Sequence, residues 1–87
     1  MYKNGDLLLC RFGSDGHYFL STYKSYIPNY KYHHKVKYII NVHVDNNMII
    51  KDTHNPSIRV RNEIINLSDR EVIRKITNSD KVMAMLI

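Results

Sequence analysis

Between Tyr30 and Asp45 the chain alternates with a period of two. One parity reads Tyr30, Tyr32, His34, Val36, Tyr38, Ile40, Val42 and Val44, and the other reads Lys31, His33, Lys35, Lys37, Ile39, Asn41, His43 and Asp45. Successive side chains of a strand point to opposite faces, so such a run predicts a long strand with one buried and one solvated face. A helix would scatter the same residues around all its sides. The feature commits the chain to a sheet, and the rest of the sequence must supply partner strands.

The flanking segments read as those partners. Asn4-Gly5 is a turn signal, and Asp6 to Phe12 follows as a buried first strand. The stretch Gly13-Ser14-Asp15-Gly16 predicts a turn, with His17 to Tyr23 returning as a second strand. Residues 25–29 contain Pro28 and read as a loop. Asp45-Asn46-Asn47 suits a tight turn, after which Met48 to Thr53 is expected to return as a strand that His54-Asn55-Pro56 breaks. From Ser57 to Arg61 the alternation resumes, with Ile58 and Val60 inward and Arg59 and Arg61 outward.

A helix is expected from Ser68. Ser68 and Glu71 stand at capping-box spacing, Leu67 and Val72 at staple spacing, and Val72, Ile73 and Ile76 make an apolar stripe that Asn78-Ser79 ends. The wholly apolar Val82 to Ile87 must dock, as a short final strand of its own sheet or across a two-fold axis on a second copy, which makes a homodimer one expected arrangement. The expected class is α+β: a small antiparallel β-sheet or partly closed SH3-like barrel, with one C-terminal helix and a short final strand.

Eighty-seven residues fit a single domain, here 1–87, with a thin core. Thirteen Lys and Arg against eight Asp and Glu leave a net charge of +5, which favours anionic partners. The single cysteine, Cys10, lies in an apolar run and reads as a small buried hydrophobe, so neither an intrachain disulfide nor a thiolate zinc site is expected. No leader and no membrane-length apolar run is read, so the expected location is the cytoplasm (a host's, if the protein is viral), with no membrane partner. The bias to Ile, Asn, Lys and Tyr is similar to that of small phage or plasmid accessory proteins.

No acidic residue occurs between Asp15 and Asp45. That window holds Lys24, Lys31, Lys35 and Lys37, the histidines 17, 33, 34 and 43, and six tyrosines. A cation run without intervening carboxylates supplies phosphate affinity, and tyrosines beside it can stack on unpaired bases. The expected nucleic-acid-binding set is therefore Lys24, Lys31, His33, Lys35, Lys37, Arg59 and Arg61, with Tyr23 and Tyr26 as stacking residues. Tyr30, Tyr32 and Tyr38 lie on the apolar parity and read as core. The alternating lysines also suit a plain solvated face that keeps an edge strand from aggregating. His33 and His34 alternate across the strand and His43 lies ten residues beyond His33, so no metal site is expected, and no other cofactor motif occurs.

Asn4-Gly5-Asp6 followed by Leu7 to Phe12 resembles the first strand of MazF-type toxin endoribonucleases, although the Arg-Pro pair those enzymes carry after the first loop is missing here. The resemblance implies a small barrel and metal-independent RNA cleavage, for which His33 or His43 would serve as base and Lys35 or Arg59 as phosphate clamp. The residues themselves favour a non-enzymatic role. The expected function is that of a small basic RNA-binding module, regulatory or inhibitory, of the kind that neutralises a host toxin or defence nuclease through shared RNA. Direct inhibition by protein contact is the alternative.

Overall fold

The computed structural model describes residues 2–13, 17–47 and 60–77, with Val60 and Arg61 described for their backbone only. Five strands form one antiparallel sheet: β1 (Leu7–Phe12), β2 (His17–Tyr26), β3 (His34–Val42), β4 (Val60–Leu67) and β5 (Val72–Lys75). Their order across the sheet is β4-β3-β2-β1-β5. A 3-10 turn at Asp69–Glu71 joins β4 to β5.

The α+β class with a helix from Ser68 is overturned: among the described residues there is no helix, only that 3-10 turn, and the fold is nearly all β. The local signal at Ser68 is nonetheless real. Glu71 Oε2 accepts the Ser68 N–H at 2.8 Å, and the Glu71 N–H donates to the Ser68 carbonyl at 3.0 Å. The turn does not propagate because Val72 and Ile73 are β-branched and a helix this short is marginal without strong packing. A better partner is available in β1. Four consecutive residues there, Leu7 to Cys10, are buried, and the backbone groups on the side away from β2 would otherwise lack partners. Pairing of β5 with β1 (Leu8 opposite Lys75, Leu9 opposite Arg74, Cys10 opposite Val72) and the Ile76 N–H to Leu7 carbonyl bond at 2.8 Å supply them.

That topology forces curvature. The outermost strands of a flat five-stranded sheet lie about 19 Å apart, at about 4.8 Å per interstrand step. Only residues 68–71 connect β4 to β5, and with three of them in a 3-10 turn they span roughly 13 Å. The sheet therefore curls until its two outermost strands approach. On the concave side Leu8, Cys10, Phe19, Tyr23, Val36, Tyr38 and Leu67 form one buried cluster, joined by Tyr2, Ile65 and Val72. A second cluster, Leu7, Leu9, Leu20, Ile40, Val42 and Ile76, lies on the other face.

The long alternating strand is realised from His34 to Val42, with side chains alternately buried and half-buried along most of its length. It starts later than the pattern predicts. Residues 27–33 connect β2 to β3, closed by the Ile27 N–H to His33 carbonyl bond at 2.7 Å, and Asn29 takes the left-handed conformation at φ 61°. The second strand runs on to Tyr26, past the predicted end at Tyr23. The strand predicted at 48–53, residues 57–59 of the one predicted at 57–61, the tail at 82–87 and the dimer it suggested lie outside the described residues, while Val60 and Arg61 belong to β4. Among the described residues no helix is long and apolar enough to cross a membrane.

Candidate nucleic-acid interface

The start of β3 and the 3-10 turn meet because His34 stands opposite Leu67 in the β3–β4 ladder, just before the turn. His34 is buried, and its Nε2 lies 2.5 Å from Asp69 Oδ1. The other ring nitrogen, Nδ1, is buried and makes no hydrogen bond. Three tyrosine rings surround the imidazole, with centroids at 5.7 Å (Tyr2), 5.8 Å (Tyr23) and 5.8 Å (Tyr26).

Outside this anchored ring, one end of the sheet carries exposed aromatic and cationic groups. Tyr26, 55% exposed, stacks on His33 with centroids 5.8 Å apart and planes 18° from parallel. Tyr30 is 48% exposed and lies 6.2 Å from Tyr32, and Lys31 Nζ sits 5.4 Å from the Tyr32 centroid. A cleft of about 360 Å³ opens beside them, lined by Lys31, Tyr32, Ser68, Asp69, Arg70 and Glu71. None of Lys24, Lys31, Lys35, Lys37 and Arg70 forms an ion pair with a described carboxylate. Lys24, Lys31 and Arg70 are exposed, and Lys35 and Lys37 are half-buried.

The expected site residues divide. Tyr26 and His33 come together where β2 meets the β2–β3 connection, and Lys31 lies in that connection against Tyr32. Lys24 is the extra residue of a bulge, since Tyr23 stands opposite Val36 and Ser25 opposite Lys35, and it is exposed beside them. Lys35 and Lys37 alternate with buried Val36 and so lie on the face away from the concave cluster, next to Asn66 and Ile64 of β4. Tyr23 is a correction. It is 4% exposed, packed against Tyr2 and His34, and burial first, then Tyr26 and Tyr2, push its phenol above the usual range, so its ring is not available to stack on a base. The tyrosines at 30 and 32, read as core, instead line the connection, because the strand begins only at His34. Arg61 belongs to β4 by its backbone, and Arg59 lies outside the described residues.

Asp69, Arg70 and Glu71 line the same cleft as Lys31 and Tyr32. Their capping signal was legible, but nothing local says that the turn lies beside residues 31 and 32, which follows from the β3–β4 pairing. Among the described residues no group of three or more His, Cys, Asp or Glu could hold a metal ion. Compared with known protein families, curated proteins and solved structures, the chain matches none.

Proposed function

We propose that this protein binds single-stranded RNA at the end of the sheet formed by the β2–β3 connection and the 3-10 turn. The observation that carries the reading is the exposed Tyr26 ring stacked on His33 beside Lys24, Lys31 and Lys35, three cations without a carboxylate partner among the described residues. An exposed aromatic ring can take up a base only if that base is unstacked, which favours a single strand over a duplex. The lysines follow the phosphates, and Arg70 adds a cation from the far side of the cleft. A bound strand would run from the Tyr26–His33 pair towards the lysines of β3, with Lys35 nearer than Lys37.

Fluorescence anisotropy with a labelled oligouridylate tests this. Tyr26→Ala should weaken binding by about 1–3 kcal/mol, the usual worth of one stacked base. Lys31→Ala and Lys35→Ala should each reduce the dependence of log K on log salt by about 0.7, as expected for one phosphate contact to a single strand. A DNA strand of the same length reports how much the 2′-hydroxyls contribute. Absence of binding to the oligouridylate at low salt would remove the proposal.

A further inference from the structure

The cleft beside the 3-10 turn differs from the rest of the basic end in carrying carboxylates. Asp69 and Glu71 line it together with Lys31, Tyr32, Ser68 and Arg70. A surface meant only to hold phosphates gains nothing from two acids, which repel them. Each acid is also held in place and only half used. Asp69 spends one oxygen, Oδ1, on His34 Nε2, and Glu71 spends one oxygen, Oε2, on the Ser68 N–H. The second oxygen of each carboxylate is an acceptor without a hydrogen bond, positioned by a bond through the first.

Base edges differ in what they offer to such acceptors. Uracil and adenine each present a mixture of donor and acceptor at the Watson–Crick edge, whereas guanine presents two adjacent donors, N1–H and the N2 amino group. A volume of about 360 Å³ is at the small end of ligand sites and suits a single nucleotide. Arg70, exposed and without an ion-pair partner among the described residues, stands beside the two acids, and Lys31 lines the same cleft.

Resting on the RNA reading above, we propose that this cleft is a base-selective subsite that takes one guanine nucleotide of the bound strand. The free oxygens of Asp69 and Glu71 accept from the guanine N1–H and N2 amino group, and Arg70 and Lys31 hold the adjoining phosphate. The Tyr26–His33 pair then supplies affinity for any base, and the cleft supplies the preference.

Three labelled RNAs test it on the full chain: an all-uridine strand, the same strand with one central guanosine, and the same strand with one central adenosine. The guanosine strand should bind at least about fivefold more tightly than the other two, the lower end of what a well-made base-edge contact discriminates. Glu71→Gln keeps a carbonyl oxygen for the Ser68 N–H but sets an amide donor against the base, and Asp69→Asn does the same towards His34. Both variants should lose the guanosine advantage while still binding the uridine strand. Arg70→Ala should weaken all three strands. Equal affinity of the three RNAs for the unaltered protein, or an advantage that survives both carboxylate substitutions, overturns the subsite. If the uridine strand binds in a Tyr26-dependent way without any guanosine preference, the subsite falls and the RNA reading stands. If no strand binds, both fall.

Discussion

The imidazole of His34 bonds through Nε2 to the carboxylate of Asp69 at 2.5 Å, fastening the first residue of β3 to the turn that joins the two outermost strands of the sheet. The imidazole is buried among Tyr2, Tyr23 and Tyr26, while the Asp69 side chain is 77% exposed. The two ends of the bond therefore differ in worth. Asp69→Ala removes one hydrogen bond that water partly replaces and should cost about 1 kcal/mol. His34→Ala also leaves a cavity among three aromatic rings and should cost about 2–4 kcal/mol. Urea denaturation of the two variants measures both, and equal losses would mean that the ring's packing contributes nothing.

Cys10 is fully buried in the concave cluster, and burial pushes its thiol up to about 12, against the smaller opposing effect of the Ser21 hydroxyl. Only the thiolate reacts, so at pH 8 the native protein holds roughly a thousandth of the thiolate of a free cysteine. Iodoacetamide should label Cys10 only as fast as the protein opens, and rapidly in guanidinium. Native and denatured protein labelling at similar rates would contradict the burial.

Asp6 precedes β1 and accepts the Lys3 N–H at 2.8 Å, with Lys75 Nζ of β5 3.5 Å away. The backbone bond from Lys3, then the Lys75 charge, hold its carboxyl below the usual 3.8. Since the folded state binds this proton less readily than the unfolded chain, the ionised group stabilises the fold above 3.8 and loses that effect as pH falls through the lowered folded value. Asp6→Asn should lower Tm at neutral pH, and the gap to the unaltered protein should narrow as pH falls below the usual 3.8. A gap that does not change with pH would contradict the assignment.

Much of the sheet is legible in the residue order, because β1, β2 and β3 are marked by apolar runs, glycine turns and alternation. The alternation nevertheless hides a switch. Tyr38 and Ile40 share a parity, yet Tyr38 packs into the concave cluster and Ile40 into the other. Leu20 stands opposite Ile40 and Ser21 opposite Tyr38, so Ile39 is an extra residue that turns the pleat over. No periodicity argument detects a one-residue bulge inside an unbroken pattern. Ser68 to Lys75 was legible as a cap but not as a strand, since the demand for a partner comes from β1, some sixty residues earlier. The same non-locality explains the site: Tyr26, Lys31 and His33 stand out in an acid-free window, whereas Arg70 joins them only through the β3–β4 ladder.

On the proposed reading, the end of the sheet around the Tyr26–His33 pair holds the RNA. Titrating uniformly 15N-labelled protein with unlabelled oligouridylate and following each backbone amide by NMR tests it most directly. The predicted result is a set of shifts at residues 24–35 and 68–71, with the amides of His17 to Phe19 and of Asn41 to Val44, at the far end of the β2–β3 ladder, unmoved. Shifts centred on that other end, or none at saturating RNA, would contradict it.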